Sequence, residues 1–142
     1  MMKIKIVIIL FVVVAIWGLS FLIHLYELKG NFKLENIDFK MISSITISNR
    51  GMKGINYVSI NKKDSIDFFD RILAGSVPVN KDDLNLRDND GLCEIEINFK
   101  DKKSMEIDLT DTHTNSGIIT SGDYFYRNDK LLNYIIVILK GE

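Results

Sequence analysis

The hydrophobic pattern divides the chain in two. Residues 6–26 are a 21-residue apolar run without Asp, Glu, Lys or Arg. A helix rises ~1.5 Å per residue, so such a run spans about 31 Å, close to the ~30 Å hydrocarbon thickness of a bilayer. Its polar members are Ser20, which can bond back to the helix backbone, and His24, within a turn of the end; Tyr26 falls where an interfacial aromatic is expected. A core helix of this length would show a polar stripe, and none is present. The run predicts a transmembrane signal-anchor helix after a five-residue cytoplasmic tail. The competing reading is a signal peptide cleaved after Ser20, since Gly18-Leu19-Ser20 has the small-x-small form of a cleavage site. Against it, Phe21-Leu22-Ile23 continues the apolar run at once. No cysteine follows the run, which excludes a lipoprotein.

Beyond a connector at residues 27–42, the periodicity changes to two and to 3.6. Ile45 and Ile47 alternate with polar neighbours, 49–54 supply turn chemistry, and 55–60 form a second β-rich run, together a hairpin. Asn61 is positioned as an N-cap, Ile66, Phe69, Ile72 and Leu73 follow at helical spacing, and Gly75 stands where a C-terminal cap belongs. Residues 76–91 form a polar connection. Cys93, Ile95, Ile97 and Phe99 then alternate with Glu94, Glu96 and Asn98, the clearest strand in the chain. Residues 100–103 turn it, and Met105, Ile107 and Leu109 alternate with Glu106 and Asp108 on the return. A third hairpin is expected over 118–126. Asn128 is placed to cap a closing helix with Leu131, Leu132, Ile135, Ile136 and Leu139 on one face, a closing strand being the alternative.

The predicted order is β-β-α-β-β-β-β-α. The fold class is α+β, an N-terminal transmembrane helix followed by a small antiparallel sheet covered on one face by two helices. The domain occupies residues 43–142.

Charge narrows the partners. From Gly30 onward 15 Lys and Arg stand against 18 Asp and Glu, which argues against nucleic acid. The sign is segregated: residues 29–63 hold seven basic and two acidic side chains, residues 64–111 six and thirteen. A membrane-proximal basic stretch suits anionic lipid head groups, or is simply a solvated face. Lys3 and Lys5 favour a cytoplasmic N-terminus, although Lys29, Lys33 and Lys40 nearly balance them. The expected location is therefore the inner membrane, single-pass, with the domain outside the cytoplasm. Richness in Ile, Lys and Asn fits an AT-rich bacterial gene.

Little chemistry is visible. The lone Cys93 lies on the apolar side of its strand and reads as a core residue. His113 sits in the Asp-Thr-His-Thr-Asn-Ser run 111–116, whose groups are too close in sequence for a triad built from separate elements. Residues 88–91 resemble part of a calcium loop, but Leu86 and Ile97 fall at ligand positions that need oxygen, so a turn is the simpler reading. Neither metal nor cofactor is expected, nor is catalysis. What remains is surface: Asp82, Asp83, Leu84, Leu86, Asp88 and Asp90 make an acidic loop with apolar points, suited to a basic protein partner or merely packed under the domain. Tyr124 and Tyr126, with Tyr57, form a second candidate contact set. These features predict a membrane-anchored binding or inhibitory domain, one version being an immunity protein against a bacteriocin or effector. The alternative is a bitopic structural subunit of a division or secretion machine.

Overall fold

The computed structural model describes residues 12–21, 33–84, 86, 91–112 and 116–141. Residues 12–21 are helical (α1), and all ten are exposed. The rest of the expected 6–26 span lies outside the described residues. Among the described residues no helix is long and apolar enough to cross a membrane.

The remainder is an α+β domain built on one antiparallel sheet of seven strands. In chain order these are β1 (Ile42–Asn49), β2 (Tyr57–Ile60), α2 (Lys63–Leu73), β3 (Val77–Val79), β4 (Gly91–Phe99), β5 (Ser104–Asp111), β6 (Gly117–Ser121), β7 (Tyr124–Arg127) and α3 (Asp129–Lys140). The spatial order is β2-β1-β4-β5-β6-β7-β3. Both expected hairpins at 43–60 and 118–126 form, as does the 93–109 pair, and the last element is a helix.

β3 is an addition. Residues 76–91, expected as a connection, contain a Val-Pro-Val strand that pairs with β7 and forms one edge of the sheet. Proline has no N–H to give a ladder, so it is tolerated at an edge and nowhere else in a sheet. Three residues with a central proline carry no readable alternation.

Cross-strand register explains the core. Ile47, Ile95 and Ile107 stand in one row, and Ile45, Ile97 and Met105 in the next. Leu109 faces Ile119, which faces Tyr126. All belong to one buried cluster that α2 closes with Ile66, Phe69 and Leu73, and α3 with Leu131, Leu132, Ile135 and Leu139. The helices thus cover one face, as the patterning requires. A register shift between Gly91 and Cys93 lets Leu92 and Cys93 both be buried.

The folded unit begins before residue 43. Leu34 is buried in the core cluster, and Ile37 and Phe39 pack against it. The Leu34 N–H donates to the Tyr126 hydroxyl (3.2 Å), which donates to Glu35 Oε2 (3.0 Å). The connector is therefore stapled beneath β7.

Two cap expectations are corrected. Lys62, not Asn61, occupies the N-cap of α2, and it makes no side-chain cap bond. Gly75 does not take a left-handed conformation; the cap residue Ala74 stays helical, and the Ser76 hydroxyl donates to Leu73 O (2.6 Å). The left-handed glycine is Gly141, which ends α3 with φ 75°.

Asn128 ties the helical layer to the sheet. Its Oδ1 accepts from the Leu131 N–H (2.9 Å), capping α3, while its Nδ2 donates to Ile72 O (2.8 Å) and Ser76 Oγ (2.9 Å) at the end of α2. Its own N–H donates to Gly117 O at the start of β6 (2.8 Å). Gly117 is needed there, because a Cβ would lie 2.5 Å from Asn128 O. Asn128→Ala removes a cap and two bonds to the end of α2, where Ile72 O keeps the Gly75 N–H (3.1 Å), so urea denaturation is expected to show a loss of about 1–3 kcal/mol. Asn128→Ser, which restores only the cap, should recover roughly 1 kcal/mol.

Candidate functional site

The sheet face turned away from the helices carries most of the domain's grouped charge. Strict alternation on β4 and β5 sends Glu94, Glu96, Glu106 and Asp108 to it. Their register puts Glu94 opposite Asp108 and Glu96 opposite Glu106, with Ser48 and Thr46 alongside on β1. Arg50, in the loop after β1, pairs with Glu94 and donates to Asp108 Oδ1 (2.9 Å). Among the described residues no such cation stands between Glu96 and Glu106, and like charges directly opposite in a sheet are unfavourable.

Arg50 is held in place by its neighbour. Asn49 Oδ1 accepts from the N–H groups of Gly51 (3.2 Å) and Met52 (3.0 Å), and its Nδ2 donates to Met52 O (2.9 Å) and Ile55 O (3.1 Å). One side chain thereby shapes the loop and aims Arg50 across the face. The Arg50 N–H also donates to Leu92 O (2.9 Å).

The other half of this face is not open. Ile118 points away from the core cluster yet is only 2% exposed, and Thr110 opposite it is 9% exposed. The chain between edge strand β3 and central strand β4 has β7, β6 and β5 to pass, and its described leucines, Leu84 and Leu86, are half-buried.

The expected contact residues are dispersed. Asp82 and Asp83 are exposed on a single 3₁₀ turn, Lys81–Asp83, where Asn80 Oδ1 accepts from the Asp82 N–H (3.2 Å). Leu84 and Leu86 are turned partly inward. Asp88 and Asp90 lie outside the described residues, as does His113. Tyr124 is half-buried with Lys33 Nζ 5.4 Å above its ring. Tyr126 leaves the contact set altogether: it is 3% exposed, and its hydroxyl serves the connector. Burial raises its pKa most; the Leu34 N–H lowers it, and the Glu35 carboxylate raises it further. Tyr57 is 60% exposed on the opposite edge of the sheet. The carboxylates of β4 and β5 were legible as wet strand positions, but only pairing register reveals that they form one patch.

Cys93 is 1% exposed within the core cluster. Burial, reinforced by Asp108 and opposed by Arg50, pushes its thiol up from 9.0 to about 12. It is a packing residue, not a nucleophile, which is a thiolate. Among the described residues no group of three or more His, Cys, Asp or Glu side chains is arranged to hold a metal. Comparison with protein-family models, with curated proteins and with solved structures finds no match.

Three outcomes follow from these environments. The folded chain should leave Cys93 unmodified by a thiol reagent at pH 8, with one equivalent reacting on unfolding. The folded state holds that proton more tightly than the unfolded chain, so stability should fall as pH rises from about 9 to about 12, and Cys93→Ala should flatten that part of the profile. Replacing Glu106 by Lys removes the like-charge opposition to Glu96 and should raise stability by about 0.2–1 kcal/mol in urea denaturation.

Proposed function

We propose that this chain is a membrane-anchored, extracytoplasmic binding or inhibitory domain that does no catalysis. The observation that carries the reading is α1. Val13, Val14, Ile16, Trp17, Leu19 and Phe21 are each more than half exposed, Trp17 at 79%. Exposing a large apolar side chain to water costs about 1.5–3 kcal/mol. The core closes between Leu34 and Leu139 without them. A helix apolar on all sides and unused by the domain suits a lipid environment, and the charge-free 6–26 run has the length for one. The inner membrane, with the domain outside the cytoplasm, is the location favoured by the five-residue basic tail ahead of the apolar run, the usual form of a signal-anchor.

The binding role draws on the open half-sheet. A sheet surface carrying Glu94, Glu96, Glu106 and Asp108 suits a basic protein partner, with Asp82 and Asp83 adding to the field that steers its approach. An unrelieved Glu96–Glu106 opposition is a cost to folding that a cationic partner would remove. One concrete form of this role is an immunity protein that neutralises a basic, envelope-active bacteriocin or effector.

The full-length chain should resist alkaline carbonate extraction from membranes; recovery of intact chain in the wash refutes the anchor. Exchanging residues 6–26 for an unrelated span separates display from the bitopic-subunit alternative: function survives the exchange in the first and is lost in the second. Glu94→Lys with Glu106→Lys should preserve the fold and abolish capture of a basic partner from envelope extracts. Undiminished capture would remove the sheet face from the proposal. The same capture should weaken between 50 and about 300 mM salt, because the screening length falls below ~10 Å.

A further inference from the structure

We infer that the corner of the domain where the connector meets the β4–β5 turn docks on an anionic phospholipid surface; this rests on the membrane-anchored reading. A cavity of about 210 Å³ opens at that corner. Its walls are apolar: Ile37, Met41, Phe99 and Met105, with Asp101 and Lys103 at the rim. Met41 is 38% exposed, although its apolar neighbours Leu34, Ile37, Phe39 and Ile42 pack on the core.

One lysine lines the cavity and others lie on neighbouring stretches of chain. Lys103 is on its rim, and Lys40, Lys63 and Lys100 line the adjoining concavity beside Phe39. Lys102 projects from the turn between them in the left-handed region (φ 67°). The acids at this corner are Asp38, Asp67 and Asp101. Asp38 accepts from the Lys40 N–H (3.1 Å), and Asp101 from the Lys103 N–H (3.2 Å). The five lysines outnumber the three carboxylates, although Lys103 Nζ pairs with Asp101 Oδ2 (3.8 Å) and Lys100 Nζ donates to Lys40 O (2.8 Å), in a domain that is net acidic. Each lysine near an anionic leaflet contributes on the order of 1 kcal/mol.

Covalent reach commits the occupant. Ten residues separate Tyr26, the end of the apolar run, from Asn36 on the cavity rim, so the corner stays within roughly 33–36 Å of the membrane surface even on a fully extended tether. A basic, concave apolar corner held that close meets head-group phosphates through its lysines and receives a lipid chain segment between Met41 and Met105. Glu94 and Asp108 lie at the end of the β4–β5 pair away from the 100–103 turn, so docking by this corner keeps their charge, which the leaflet repels, at a distance from it.

The test uses the full-length chain with Asn36→Cys carrying an environment-sensitive NBD label; Cys93 is buried and stays unlabelled. The protein is reconstituted in phosphatidylcholine vesicles with and without phosphatidylglycerol. Docking predicts a blue shift of the emission only with phosphatidylglycerol, lost in Lys63→Glu, Lys102→Glu, Lys103→Glu and reversed by high salt. Equal emission in both compositions, from protein that floats with both, overturns the docking and leaves the anchor standing. Protein that floats with neither overturns the anchor, and the docking with it.

Discussion

A slip of one residue in β4 against β5 would turn Ile95 and Ile97 to water and press Glu94 and Glu96 against the helices, and a slip taken up by β5 would do the same with Ile107, Leu109, Glu106 and Asp108. Period-two alternation makes that exchange complete, because every side chain changes face together. Burying unpaired carboxylates is far costlier than leaving them wet. The register of this central pair is thus fixed by both faces at once. β1 and β6 add to it on either side, and the apolar rows continue through them. What is polar about the outer face is a by-product of the same alternation that makes the core.

The helical layer depends on a smaller device. α2 and α3 each bring an amphipathic face, but nothing in amphipathicity fixes their mutual placement. Asn128 does so by spending both ends of one amide: the oxygen on the start of α3, the nitrogen on the end of α2. Gly117 lets the two backbones approach closely enough for this to work. Asn49 plays the corresponding part at the other side of the sheet, where it converts a seven-residue loop into a fixed arm for Arg50.

Elements with a strong period were legible in the sequence. The alternation over 93–109 and the helical spacing over 66–73 and 131–139 led directly to β4, β5, α2 and α3, and the Asn128 cap was readable from its position. β3 was not, because a three-residue strand with a central proline has no periodicity, and its existence depends on β7 offering an edge. The caps of α2 failed for a related reason: local residue preference lost to the path that the chain takes out of β2. Placement of the candidate surface was the least legible. Sequence proximity gathered Asp82 through Asp90, whereas the sheet gathered residues from β1, β4 and β5 that lie up to 60 positions apart. Tyr126 was misjudged because a strand near a chain end reads as peripheral, yet the connector folds back beneath it and makes it interior.

Pro78 has a bearing on how copies of this chain tolerate crowding. Sheets recruit one another through the free hydrogen-bonding groups of their outermost strands. On the β3 side a newcomer would find three residues of purchase and, at the middle one, a ring where an amide hydrogen should be. Polymerisation from that flank stalls at its first rung.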